Sequence, residues 1–264
     1  SPSNSTIKEY KKLGLNCDVI QKYEYHELPN EDNIIIDEIG LCNKAANDTI
    51  YKLALIGKRI LSFGDFGQLL PVMEMKPFNK EIYLNHLYNK RSVLEINHRN
   101  NFEFEYYEKL KTRKLNLIDE IKKYRAKDMY SAEFVICKTN DKVDECNKLI
   151  MKKRDIKYGD IGCKVMCKTN ELRDYGIYNN FIMTITDIDD EDITLDNTIV
   201  IPIKKFKGRT KGKSNFKPAY ARTSYNIQGE TCNSYYVCND DLKNFNDGRS
   251  AYTIISRLKQ KLIK

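Results

Sequence analysis

The stretch Ile34-Ile35-Ile36-Asp37-Glu38 is an apolar run that ends in two adjacent carboxylates. Three β-branched residues in succession favour a buried strand of a parallel sheet, and such sheets place ligands at the carboxyl ends of their strands. A second apolar run, residues 59–63, ends in Gly64-Asp65-Phe66-Gly67-Gln68. The two runs together predict that acidic and amide side chains lie on one rim of a sheet.

These side chains are typical of one half of a nucleoside-triphosphate site. An Asp can hold Mg²⁺, a Glu can activate water, and a Gln can contact the terminal phosphate. The alternative is a solvated acidic loop, which would be favoured if Asp37-Glu38 stood alone. The 264 residues contain no G-x-x-x-x-G-K-[ST] loop, so half of the phosphate cradle is missing from them.

Composition indicates a globular protein of one large or two modest domains, because 41% of the residues are hydrophobic and 31% are charged. The net charge of +8 is concentrated in residues 131–264, which suits a polyanion-binding surface but is weak evidence alone. The eight cysteines include no C-x-x-C pair, which favours free thiols. Because the sequence has no signal peptide and no apolar stretch near the ~18 residues of a membrane span, we expect an intracellular protein.

Strand and helix patterns alternate along the chain, which predicts parallel sheets covered by helices. In the first half the patterns predict strands at 17–20, 34–36 and 60–63 and helices at 5–13, 43–55, 102–111 and 115–124. In the second half they predict strands at 133–137, 163–167, 181–188, 193–195 and 235–238, helices at 142–152 and 251–264, and a flexible basic loop at 204–217. The strands between 163 and 195 indicate a small antiparallel unit.

Two arginines follow ordered apolar segments, Arg99 after residues 94–98 and Arg257 after residues 252–256. A lone arginine is usually a surface ion pair. Phosphoryl transfer, however, uses guanidinium charge against the γ-phosphate, so both are candidates for that role. Residues 219–231 combine hydroxyl side chains, Tyr225 and a Gln-Gly turn, which suits contact with backbone phosphates and a base. An ordinary helix with a terminal glycine is the alternative there.

The order of these segments resembles the motif series of superfamily 1 helicases, most of all the Pif/RecD branch. The matching pieces, in chain order, are Ile-Ile-Asp-Glu-Ile, Gly-Asp-Phe-Gly-Gln-Leu-Leu-Pro-Val, Leu-x-x-Asn-x-Arg, Thr-Asn-x-x-Val-x-x-x-Asn (139–147), Val-Met-x-x-x-Asn (165–170), Tyr-Ala-x-Thr…Gln-Gly-x-Thr and Tyr-x-x-x-Ser-Arg. Pro2-Ser3-Asn4 matches an early motif that touches the DNA backbone.

The resemblance implies a fold, an activity and roles for individual residues. The expected fold is α/β, with two RecA-like parallel-sheet lobes of the P-loop NTPase class, the first incomplete, and a small SH3-like β insertion near 160–216. The implied domains are residues 1–100, a helical connector at 101–130, and residues 131–264. The implied activity is that of an ATP-dependent DNA helicase moving 5′ to 3′ on single-stranded DNA in replication, repair or recombination.

The implied site residues fall into a nucleotide set and a DNA set. Asp37 holds Mg²⁺, Glu38 is the general base, Gln68 senses the γ-phosphate of ATP, and the finger charges come from Arg99 and Arg257, on either side of the cleft between the lobes. The cofactor-binding set further contains Asp65, Gln228 and Gly229. The DNA set contains Pro2, Ser3, Asn4, Thr139, Asn140, Thr223 and Tyr225.

Three departures from the family pattern qualify this expectation. The phosphate loop is missing, so an upstream region of the same polypeptide is expected to supply it, and this chain alone is expected to be inactive. The segment before Asp37 has little room for the wedge that family members use to split duplexes. Tyr225-Asn226 replaces the usual His-Lys pair. The alternatives are a nucleic-acid-binding module without ATP turnover, or an RNA helicase of the same superfamily.

Overall fold

A computed structural model describes residues 7, 10–11, 13–24, 26–71, 86–208 and 214–259 of the chain. These residues fall into two compact units. The first comprises residues 1–117, 228–230 and 247–264, and the second comprises residues 118–227 and 231–246. The first unit thus takes two segments from the C-terminal half, whereas the sequence analysis drew its domains as uninterrupted ranges. Those domain boundaries stay a prediction.

The described residues form six α-helices and ten strands. In chain order they are β1 (Asn33–Ile36), α1 (Lys44–Leu55), β2 (Arg59–Ser62), α2 (Phe104–Lys111), α3 (Leu117–Tyr124), β3 (Phe134–Cys137), α4 (Asn140–Arg154), β4 (Lys164–Cys167), β5 (Ile182–Ile188), β6 (Asp192–Leu195), β7 (Ile199–Pro202), α5 (Ile203–Lys207), β8 (Phe216–Pro218), β9 (Ala221–Thr223), β10 (Tyr235–Tyr236) and α6 (Gly248–Ile255). Short 3₁₀ turns lie at Ile20–Glu24, Ile39–Leu41, Arg173–Tyr175 and Leu242–Phe245.

The first unit is built on a β1–α1–β2 crossover. The two strands pair in parallel, with Ile34 opposite Ile60. Asn43 caps α1, because its side chain accepts a hydrogen bond from the Ala46 N–H. The apolar face of α1 packs on the sheet around the fully buried Ile50. These elements confirm the predicted strands at 34–36 and 60–63 and the predicted helix at 43–55.

The second unit contains two sheets. Strands β10, β3 and β9 form a parallel sheet, and strands β7, β6, β5, β4 and β8 form an antiparallel sheet in that order. The antiparallel sheet surrounds its own buried core, which includes Val165, Met183, Ile193 and Phe216. This confirms the mixed α/β class with parallel sheets and the antiparallel unit predicted within residues 160–216.

Three local predictions are wrong, the first being the helix at 251–264, because α6 spans Gly248–Ile255 and residues 256–259 are not helical. Residues 17–19 form no strand, and a 3₁₀ turn begins at Ile20, whose side chain is buried in the core. The predicted basic loop at 204–217 begins in α5 and ends in β8, because Phe206 and Phe216 stack on each other in the antiparallel core. Residues 209–213 of that loop, most of the predicted helix at 5–13, and residues 260–264 lie outside the described residues.

All eight cysteines are free thiols, as expected, and seven of them are buried. Among the described residues, no helix combines the length and the apolar character that crossing a bilayer requires.

Candidate functional site

The carboxyl ends of β1 and β2 form a common rim in the first unit. The Phe63 N–H donates to the Ile36 carbonyl (2.8 Å), and the Ile39 N–H donates to the Phe63 carbonyl (2.9 Å), so the parallel pairing continues past both strands. A Cβ added to Gly64 would lie 2.8 Å from the Ile39 nitrogen. Only glycine allows this approach, which places the segment after Gly64 beside Asp37-Glu38.

Glu38 has a backbone conformation that side-chain-bearing residues rarely adopt. Its φ of 54° and ψ of 43° lie in the left-handed region. Burial raises the pKa of the Glu38 carboxyl, while the Arg257 guanidinium opposes this shift and Asp37 adds to it. Asp65 also raises the pKa of Glu38, and Arg99 also lowers it. A carboxylate with a raised pKa is a stronger base, which suits Glu38 to accept a proton from water.

Arg257 is a buried guanidinium close to that carboxylate. It is only 2% exposed, and its Nη1 and Nη2 donate to the Glu230 carbonyl (3.3 Å) and to Ser256 Oγ (3.1 Å). Burial lowers the pKa of Arg257, and the neighbouring positive charge of Arg99 lowers it further. Arg99 is exposed and donates from Nη1 to the Ser256 carbonyl (2.8 Å). Two like charges held this close favour an anion between them.

Three buried polar atoms of the predicted site have no hydrogen-bond partner among the described residues. They are Gln68 Oε1, Gln228 Nε2 and Arg257 Nε. A buried polar group left unpaired costs about 1–3 kcal/mol, so such atoms are usually satisfied by a ligand or water. Gln68 and Arg257 line one cleft, whereas Gln228 and Gly229 do not.

The cleft in the first unit has a volume of about 1570 Å³, whereas typical small-molecule pockets span about 300–1,000 Å³. Its walls come from the rim of the sheet, from residues 88–99 and from the facing sides of α2 and α6. Glu38, Asp65, Gln68, Arg99 and Arg257 all line it. The structure therefore brings five predicted site residues together in one place.

Asp37 lies outside that lining, and its Oδ2 accepts a hydrogen bond from the Tyr10 hydroxyl (2.8 Å). Burial and this carboxylate raise the pKa of Tyr10 to about 12. Asp65 is engaged within the protein. It accepts hydrogen bonds from the Gly67 N–H (2.7 Å) and the Tyr252 hydroxyl, and Lys111 Nζ lies 3.7 Å from Oδ1. The predicted nucleotide-binding roles of both aspartates stay predictions.

Among the cleft residues that the sequence analysis gave no role are Lys111, Arg249 and Tyr252, the last of which begins the quoted motif Tyr-x-x-x-Ser-Arg. Lys111 Nζ lies 4.4 Å from the centre of the Tyr252 ring, and Arg249 Nη1 donates to the Gln68 carbonyl (2.9 Å). A lysine or arginine on an amphipathic helix normally points to solvent, so local pattern held no signal for them. Only the packing of α2 against α6 turns these residues toward the rim.

The second unit places four predicted DNA-binding residues at one sheet edge. Strands β3 and β9 are parallel neighbours, with Cys137 opposite Thr223. Thr139, two residues after β3, caps α4 by accepting a hydrogen bond from the Lys142 N–H (3.3 Å), and Asn140 begins that helix. Tyr225, two residues after β9, is 37% exposed. Pro2, Ser3 and Asn4 lie outside the described residues.

Comparison with solved structures shows the fold. The Pif1 helicase from Bacteroides in complex with ADP-AlF3 and single-stranded DNA is 19% identical, with a TM-score of 0.60, over 92% of this chain and 76% of that one. A second Bacteroides Pif1 structure, bound to single-stranded DNA, gives 17% identity and a TM-score of 0.61 over the same shares. The Pif1 helicase from Candida albicans gives 15% identity and 0.59, covering 98% and 76%. No protein-family model and no curated protein matches the chain. The chain therefore has the RecA-like fold of Pif1 helicases.

Proposed function

We propose that this chain forms the motor of an ATP-dependent DNA helicase that moves 5′ to 3′ on single-stranded DNA. The observation that carries the proposal is the convergence of Glu38, Gln68 and Arg257 on one cleft, each with a property suited to hydrolysis of a γ-phosphate. Glu38 has a raised pKa, and Gln68 Oε1 and Arg257 Nε lack partners among the described residues. Replication, repair or recombination is the expected setting.

In this mechanism the residues of the cleft act on the terminal phosphate and on the attacking water. Glu38 orients the water and takes its proton, for which its raised pKa suits it. Gln68 is within the buried wall and can donate through its amide nitrogen to the γ-phosphate. Arg257 and Arg99 supply positive charge where negative charge develops, which is the largest contribution in most phosphoryl transfers.

The first unit offers a candidate ligand for Mg²⁺ that would arrive with the nucleotide, Asp37, which lies outside the lining of the cleft and whose Oδ2 accepts the Tyr10 hydroxyl. Among the described residues, no group of three or more His, Cys, Asp or Glu could hold a metal ion by itself. Mg²⁺ is usually bound by one or two carboxylates together with phosphate oxygens and waters, and Asp37 would be the protein ligand. When bound, the ion neutralises charge on the β- and γ-phosphates.

The missing phosphate loop is expected from an upstream region of the same polypeptide, and the exposure of apolar residues on the first sheet supports this. Parallel strands are normally covered on both faces, yet Ile35 is 65% exposed and Leu61 is 54% exposed. Across the same cleft, the extended residues Val93, Leu94 and Ile96 are 72%, 81% and 78% exposed. An apolar strand followed by a phosphate loop would cover these surfaces and bring its amides to the rim.

The rim of the second unit supports contact with single-stranded DNA. Thr139 and Thr223 offer hydroxyl groups, and the N-terminus of the 15-residue α4 favours a phosphate through its helix dipole. The exposed ring of Tyr225 can stack on a base. Two of the Bacteroides Pif1 structures that share this fold contain single-stranded DNA.

The test is ATP hydrolysis by the full-length protein, with and without single-stranded DNA, for the wild type and for Glu38→Gln. We expect DNA-stimulated hydrolysis in the wild type and a loss of about 10²- to 10⁴-fold in the variant, because the general base is removed. Equal rates in the two proteins would contradict the role of Glu38. DNA binding without hydrolysis would favour a binding module, and unwinding of RNA duplexes in preference to DNA would favour an RNA helicase.

A further inference from the structure

Helix α6 holds the loop that carries Gln68 through side chains on a single helical face. Arg249 Nη1 donates to the carbonyl oxygens of both Phe66 and Gln68, the latter at 2.9 Å. One turn later, Thr253 Oγ1 accepts a hydrogen bond from the Leu69 N–H (3.2 Å). Residues 249 and 253 are four positions apart, so they project from the same face of α6.

A second set of contacts fixes the start of the same loop. The Tyr252 hydroxyl donates to Asp65 Oδ2, while the Gly67 N–H donates to Asp65 Oδ1 at 2.7 Å. Lys111 Nζ lies 3.7 Å from Asp65 Oδ1 and 4.4 Å from the centre of the Tyr252 ring. The loop from Asp65 to Leu69 is therefore held by α6 at both of its ends. We call this set of contacts the helix–loop clamp.

The same helix leads directly to the buried arginine of the cleft. α6 ends at Ile255, and Arg257 follows two residues later, held by Ser256 Oγ (3.1 Å) and the Glu230 carbonyl (3.3 Å). The backbone of Gln68 and the guanidinium of Arg257 are thus both connected to α6. If α6 moves as a rigid body, the two groups move together.

We propose that Arg249 is a positioning residue that sets Gln68 in register with Arg257, so that both reach the terminal phosphate of the nucleotide at the same time. This inference rests on the proposed function of the cleft. The charged donor spans two carbonyl oxygens two residues apart, which fixes the turn at residues 66–68 as a single neutral hydrogen bond would not. Its effect falls on the transition state and not on nucleotide affinity.

The test compares three variants of the full-length protein in DNA-stimulated ATP hydrolysis. We expect Arg249→Ala to lower kcat about 10- to 100-fold while the KM for ATP changes less than about threefold, because a displaced group costs rate more than binding. Arg249→Lys keeps the charge but carries it on a compact ammonium at the end of a more flexible stem, so it should recover part of kcat. Lys109→Ala is the control, since Lys109 is exposed and pairs with Glu105 on the surface of α2 (2.9 Å).

Hydrogen exchange without nucleotide tests the clamp itself, independently of activity. In Arg249→Ala the amides of residues 66–69 should exchange faster than in the wild type, while those of α1 should be unchanged. Unchanged exchange at 66–69 would overturn the clamp. Faster exchange with an unaltered kcat would overturn the positioning role. A wild-type protein without ATP hydrolysis would instead overturn the proposed function, and the exchange result would still decide whether the clamp exists.

Discussion

The two parallel sheets differ in how the buried polar groups beside them are engaged. In the first unit, Gln68 Oε1 and Arg257 Nε are buried without hydrogen-bond partners among the described residues. In the second unit, the buried Asn147 accepts hydrogen bonds from the Tyr220 and Ala221 N–H groups (2.9 and 2.8 Å) and donates to the Pro218 carbonyl (3.1 Å). Ser224 Oγ, directly after β9, also lacks a partner among the described residues, so unpaired polar atoms occur in both units. What differs is that Gln68 and Arg257 line one cleft in the first unit, whereas Asn147 braces the start of β9 in the second.

The same contrast holds for the apolar surfaces. In the second unit all four residues of β3 are buried, as a central parallel strand requires. In the first unit the burial along β1 is interrupted, and Ile35 lies exposed in the middle of the strand. Ile35 belongs to the surface that, under the proposed function, the upstream segment would cover. This difference predicts that substitutions at the first rim act on chemistry and those at the second act on stability or DNA binding.

The largest effect is expected at the first rim, from Arg257→Ala. Removal of the guanidinium should lower DNA-stimulated ATP hydrolysis by about 10³-fold, because charge on the terminal phosphate is left uncompensated. The rate is measured at saturating ATP on the full-length protein. Because Arg257 is buried, Arg99→Ala, which alters an exposed side chain of the same cleft, should be made beside it and should also lose activity. Full activity in Arg99→Ala would remove that residue from the proposed site.

In the second unit, Asn147→Leu should destabilise the protein by about 3 kcal/mol. The change leaves the Tyr220 and Ala221 N–H groups buried without acceptors, and each unmade bond is costly. Urea unfolding followed by circular dichroism measures the loss. Lys148→Leu, at an exposed position of the same helix, should change stability by less than about 0.5 kcal/mol. Equal losses in the two variants would mean that the bonds of Asn147 do not brace the sheet.

The helix caps offer a matched pair across the two units. Asn43→Ala and Thr139→Ala each remove a side chain that caps a helix, so each should cost about 1 kcal/mol of stability. Only Thr139→Ala should also weaken binding of single-stranded DNA, measured by fluorescence anisotropy at fixed salt. If both variants bind DNA like the wild type, the second rim is not the DNA contact that we propose.

The smallest effect is expected on thermal stability, from Glu38→Gln. Because the pKa of Glu38 is raised in the folded protein, its carboxyl binds a proton more tightly there than in the unfolded chain. The folded state therefore loses stability as the pH rises through the interval between the unfolded and the folded pKa. Glu38→Gln should raise Tm by roughly 1–2 °C at pH 7, and the gain should vanish at low pH, below both pKa values. A gain in Tm that is independent of pH would indicate instead that the substitution relieves strain in the left-handed backbone of residue 38.

Local pattern was sufficient for much of this fold. The β-branched run at 34–36 and the helical patterns at 43–55 and 142–152 predicted β1, α1 and α4, because each depends on residues within a few positions of one another. The pattern failed where distant packing decides, as at Ile20, which turns into the core instead of forming a strand. It failed again at 203–207, where Phe206 stacks on Phe216 and holds a helix within a basic segment.

The sequence alone predicted that the polar groups after two apolar strands meet at one rim, and Glu38, Asp65 and Gln68 do line one cleft. The sequence could not predict which of these side chains contact one another. Asp65 has its oxygens engaged by Gly67 and Tyr252, and Arg249 grips the loop of Gln68 from more than 180 residues away in the chain. Short-range composition carries propensity and chemistry. Contacts between distant side chains form only when helices and strands pack. Burial and neighbouring charges then determine the hydrogen bonds and the pKa of each group, which residue identity alone does not.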